Sequence, residues 1–81
     1  MSKNIITQYT GKFSIERMKS SRMGNPRYAV LMGGVVIGST RPNSSLAYGA
    51  VPNNAERGVC CITVSKTPSG RRYIDKVEKL S

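Results

Sequence analysis

Between residues 12 and 18, KFSIERM, Phe13 and Ile15 fall on one face and Lys12, Ser14 and Glu16 on the other. That two-residue period is the signature of a half-buried strand. A loop follows over 19–26, KSSRMGNP, where Ser-Ser, Gly-Asn and Pro are turn chemistry and Pro26 holds Asn25 away from the helical region. The pattern predicts a strand over 27–32, RYAVLM, a two-residue turn at Gly33-Gly34, and a β-branched return strand over 35–39, VVIGS. TRPN at 40–43 breaks the run. A helix of about two turns is expected over 43–50, capped by Asn43 or Ser44, stopped near Gly49, and packed on the sheet through Tyr48.

Residues 51–58, VPNNAERG, read as loop and 59–66, VCCITVSK, as a strong strand. TPSG at 67–70 places Pro and Gly where a turn needs them. The last segment, 71–79, RRYIDKVEK, is read as a strand because a hairpin turn precedes it, although Ile74, Val77 and Leu80 also fit a helical stripe. Residues 1–10 are expected to be flexible or partly extended, ahead of a single small β-rich domain over 11–81. The expected fold is mainly β, with five strands and one short helix between the third and fourth. A partly open barrel of the oligonucleotide/oligosaccharide-binding (OB) type, an SH3-like barrel, and a curled antiparallel sheet with the helix on one face all produce this order.

Length narrows the picture. At 81 residues the chain is one domain, and a chain of that size buries only about 60–65% of its unfolded surface. A thin core and exposed strand edges at 12–18 or 59–66 would favour a homodimer. The longest apolar stretch, AVLMGGVVIG at 29–38, is too short and too glycine-rich for a bilayer span. The N-terminus lacks the pattern of a signal peptide, so a cytoplasmic protein without a membrane partner is expected. Cys60 and Cys61 are neighbours whose side chains point to opposite faces of a strand. Two reduced thiols are expected, at least one of them buried.

Catalytic chemistry finds little to use. There is no His to act as base or ligand, so no Ser is activated and two adjacent Cys cannot complete a zinc site. Nothing in the pattern brings two of Glu16, Glu56, Asp75 and Glu78 together, and Gly33-Gly34 lacks the context of a phosphate loop. The expectation is a protein that is not an enzyme and has neither cofactor nor metal.

GNPRY at 24–28 and TRPNSSLAYG at 40–49 carry a resemblance. The chain resembles small proteins encoded by bacteriophages and other mobile elements, over roughly residues 13–77. These share a Gly-Asn-Pro-Arg-Tyr entry to a strand and a Pro-Asn-Ser-Ser-x-Ala-Tyr segment after a hairpin. The resemblance implies a compact, strand-rich accessory protein, and transfers no catalytic or binding residues.

Charge supplies the remaining signal. Thirteen Lys and Arg against four Asp and Glu give a net charge of +9, just beyond the magnitude of about 2–8 that a small soluble domain carries without special purpose. Arg17, Lys19, Arg22 and Arg27 bracket the first loop, with Tyr28 beside them; Lys66, Arg71 and Arg72 bracket the last hairpin, with Tyr73 beside them. In an OB-like barrel those loops flank the binding face. These nine residues are the expected contacts for nucleic acid, the cations on phosphates and the tyrosines under bases. The alternative is an inhibitor or adaptor that docks on a host protein complex, a role the mobile-element resemblance implies.

Overall fold

The runs of β-branched and aromatic residues do form strands. The computed structural model describes residues 3–80. Its strands are β1 (Ile5–Gly11), β2 (Ser14–Met18), β3 (Arg27–Met32), β4 (Val35–Ser39), β5 (Cys60–Lys66) and β6 (Arg72–Lys79). They make one mixed sheet in the order β1-β5-β6-β4-β3-β2. Neighbours are antiparallel except β4 and β6, which run parallel and meet at Ser39 and Tyr73. At the β3–β4 hairpin Gly33 and Gly34 have φ of 59° and 81°, the positive pair that a tight hairpin turn of primed type requires.

Several expectations are corrected. The sheet has six strands rather than five, because residues 5–11 pair with β5 along their whole length, from Ile5 opposite Lys66 to Gly11 opposite Cys60. The segment 59–66 is not an edge: β5 lies between β1 and β6, and the two edges are β1 and β2. The expected two-turn helix over 43–50 is a 3-10 turn at Ser45–Tyr48 followed by helix α1 (Ala50–Asn54). Ser44 is the cap, its Oγ accepting from the Leu46 N–H at 3.1 Å. Pro52, which suggests loop for 51–58, falls in the first turn of α1, where no intrahelical N–H is required. Tyr48 does not pack on the sheet; it is 62% exposed.

The sheet curls strongly without closing into a barrel. β1 and β2 lie at opposite ends of the strand order, yet only residues 12 and 13 separate them in the chain. The edges therefore meet at one corner, which buried Phe13 fills. Gly11 passes so close over Met32 that a Cβ there would lie 2.7 Å from Met32 Cε. Register shifts at Val30/Leu31 and Thr63/Val64 add to the bend. Away from the corner the edge of β2 meets a side chain instead of β1: the Ile15 N–H donates to Glu56 Oε2 at 3.1 Å.

The core lies inside the curl. Val30, Ile37, Ile62, Val64 and Ile74 come from four strands, and Val51 and Ala55 cover them from the helical segment. The Cys60 thiol donates to the Asn54 carbonyl at 3.2 Å, tying the end of α1 to β5. Both cysteines are free, Cys60 buried and Cys61 half-buried. Among the described residues no helix is long and apolar enough to cross a membrane.

Gly38 sits where β4 approaches β6. A Cβ there would meet Ile74 Cδ1 at 3.0 Å and Val64 Cγ1 at 3.3 Å. Gly38→Ala is therefore expected to destabilise the fold by about 1–3 kcal/mol through overpacking, read as a lower urea midpoint; an unchanged midpoint would show that the contact is not tight. A thiol reagent added to native protein is expected to label Cys61 first and Cys60 only on unfolding. Equal rates for the two would contradict the burial of Cys60.

Candidate nucleic-acid interface

The parallel contact between β4 and β6 decides where the cations gather. Ser39 ends β4, Tyr73 lies near the start of β6, and Ala29 near the start of β3 faces Ser39 from the other side. The start of β3, the end of β4 and the start of β6 therefore lie side by side. Arg27 of the first basic group meets Arg71 and Arg72 of the second there. A cleft of about 390 Å³ is lined by Arg27, Ser39, Pro42, Arg71, Arg72 and Tyr73. Three arginines line it and, among the described residues, no carboxylate does.

Arg27 is held in place from below. Its Nε and Nη2 donate to the Thr40 carbonyl at 3.1 and 3.0 Å, and Nη2 lies 3.4 Å from Ser39 Oγ. Thr40, fully buried, exchanges two further bonds with the Tyr28 backbone: its N–H donates to the Tyr28 carbonyl at 2.9 Å, and its Oγ1 accepts from the Tyr28 N–H at 3.0 Å. The Tyr73 hydroxyl beside Arg71 raises the guanidinium pKa above its ordinary value.

A second cleft, of about 590 Å³, shares Tyr73 and Pro42 with the first and is lined further by Arg41, Asn43, Leu46 and Asp75. The Arg41 guanidinium carbon lies 4.7 Å from the centroid of the Tyr73 ring, a cation–π stack. Asp75 fixes it there, with Oδ1 2.9 Å from Arg41 Nη2. Ser65 donates its hydroxyl to the other oxygen of Asp75. Partial burial pushes the Asp75 carboxyl up, but the Ser65 hydroxyl and the Arg41 guanidinium together outweigh it and hold the carboxyl below the ordinary aspartate value.

The nine expected contacts are not all brought together. Arg27, Arg71, Arg72 and Tyr73 share the first cleft. Lys66 is exposed at the end of β5, opposite Arg72. Lys19 and Arg22 are exposed on the loop 19–26 and line neither cleft. Tyr28 and Tyr73 do not form matched platforms. Tyr28 shares its face with buried Val30 and packs against the core, and Arg17 lies over its ring at 5.6 Å. Tyr73 flanks buried Ile74 and so lies on the opposite, outer face. Arg41 is a contact that the sequence does not signal. It lies two residues past the end of β4 and precedes a proline, which reads as a break; only the folded chain lays it on Tyr73.

Loop 19–26 is joined to the segment after β4 through Asn25. Its Nδ2 donates to Asn43 Oδ1 at 2.9 Å, and its Oδ1 accepts from the Tyr48 hydroxyl. Within the loop the Ser21 N–H donates to the Asn25 carbonyl at 2.9 Å and the Asn25 N–H to Ser21 Oγ at 3.1 Å. The loop is thus preset in shape.

The lowered Asp75 pKa has a definite sign. A carboxyl whose pKa is lower in the folded than in the unfolded state adds stability that is full above the unfolded value and is lost as pH falls through the folded one. With an ordinary value of 3.8, urea midpoints are expected to drop as pH is lowered from that value downward. Asp75→Asn should show a shallower acid loss than the native chain; equal slopes would mean that the Arg41–Asp75–Ser65 cluster has no net effect.

Compared with protein-family models, with curated proteins and with solved structures, the chain matches none.

Proposed function

We propose that this domain binds single-stranded nucleic acid, mainly through phosphates and with little sequence preference. The observation that carries the reading is the carboxylate-free cleft in which Arg27, Arg71 and Arg72 converge. Guanidinium groups are planar and always charged, and their paired N–H donors match phosphate oxygens. The Arg41–Tyr73 stack next to it offers a flat cationic surface for a base. No helix among the described residues is long enough to read a major groove: α1 has five residues.

The connectivity supports an OB-like arrangement. β1 and β2 act as two halves of one bent strand, interrupted at residues 12 and 13. With the sheet's six strands read this way, β3 and β4 stand in the places of the second and third strands of such folds, and the helix lies between β4 and β5. The outer face of the second and third strands, flanked by the first loop and the last hairpin, is where such folds hold oligonucleotides. Here that face carries Arg27 and Ser39.

A second reading, docking on an acidic host protein, draws on Met23 and Tyr48. They are 78% and 62% exposed, and both belong to the segments that Asn25 joins. Methionine and tyrosine beside arginine are typical of protein interfaces.

Fluorescence anisotropy with single- and double-stranded oligonucleotides at two salt concentrations separates the readings. Charge reversal at Arg71 and Arg72 is expected to weaken every oligonucleotide alike. It should also flatten the slope of log K against log salt by about 0.7–0.9 for each phosphate that is no longer neutralised. Tyr73→Ala should weaken single strands more than duplexes. Absence of binding at low salt would remove the nucleic-acid reading and leave the protein partner.

A further inference from the structure

The two edges of the sheet are treated differently. β2 is short, carries Glu16 and Arg17, and has its Ile15 N–H occupied by Glu56. These are the features by which edge strands avoid pairing with other chains. β1 has none of them. Residues 4–11, NIITQYTG, contain no charge and no proline in a chain with thirteen Lys and Arg. Residues 5–8 are exposed on both faces of the strand, with Ile5 and Ile6 at 63% and 59%. A long, uncharged, β-branched edge is a template for another strand.

We propose that β1 pairs antiparallel with β1 of a second copy, joining two sheets into one across a two-fold axis at Ile6. The partner is a second copy because this strand is self-complementary in that register. Ile6 would face Ile6 of the other copy, Ile5 would face Thr7, and Asn4 would face Gln8, so β-branched residues meet β-branched ones and amide meets amide. A two-fold axis satisfies both copies with the same contacts. Charge favours the same choice. An acidic partner would be drawn to the arginine clefts rather than to this uncharged strip. Ile5 pairs with Lys66, so the dimer brings the cationic ends of both copies toward one another. Added salt therefore strengthens this association by screening, whereas it weakens binding to phosphates.

Sedimentation equilibrium in the presence of a thiol reductant, over a range of protein and salt concentrations, tests the proposal. The expected result is a concentration-dependent mass of twice the 8.8 kDa chain, more fully populated at high salt. Ile6→Lys and Ile6→Glu should each lose the dimer, while an equimolar mixture of the two regains it through opposite charges at the axis. Circular dichroism verifies that each variant is folded, which the exposure of Ile6 favours. A native chain that stays monomeric at every concentration, a dimer that survives Ile6→Lys, or a folded mixture that does not associate would each overturn it.

Discussion

The parallel contact between Ser39 and Tyr73 holds the molecule together. On one side of it lie β4, β3 and β2, on the other β6, β5 and β1. The two halves are otherwise antiparallel ladders built from local hairpins and one longer return. Three features make the contact work. Gly38 has no side chain, so β4 comes close enough to β6 for Ile74 and Val64 to pack beneath it. Thr40, just past the end of β4, is fully buried with its amide, hydroxyl and carbonyl all bonded. Arg27 supplies two of those bonds and so couples the start of β3 to the same point. A buried carbonyl paired with a charged donor is strongly favoured over one left unpaired.

The same contact builds the clefts. Because the end of β4 lies against the start of β6, Arg27 at the start of β3 comes to Arg71 and Arg72, and the chain after β4 runs along β6 past Tyr73 to Asp75. Arginines from three places in the sequence thus converge, and Arg41 reaches the Tyr73 ring. Among the described residues Asp75 is the single carboxylate lining either cleft. Glu56 is engaged with the β2 edge, and Glu78 lies 3.9 Å from Lys76 on the same strand. Neither glutamate lines a cleft, and the cleft that Arg27, Arg71 and Arg72 line carries no carboxylate among the described residues.

The segments 24–28 and 40–49 are bonded to each other. Asn25 and Arg27 of the first reach Asn43, Tyr48 and Thr40 of the second. That lock has a structural logic independent of any ligand: it fixes the loop 19–26 against the chain leaving the sheet. It also leaves Met23 and Tyr48 on the surface.

Local chemistry determined much of this fold. Strands 27–32 and 35–39, the glycine turn between them, the last hairpin and the burial of Phe13 follow from period, branching and turn residues, which act over a few positions. Tertiary structure decided the rest. Residues 5–11 look weak alone and become a strand because β5 offers them a ladder. α1 forms despite Pro52 because Val51 and Ala55 find the core. The basic groups were legible as charge, but their meeting place was not, since a single parallel contact between residues thirty-four positions apart sets it. Tyr28 and Tyr73, alike in sequence beside their cations, are told apart only by which face of the curled sheet each one takes, because burial on one face of a strand leaves the other to solvent.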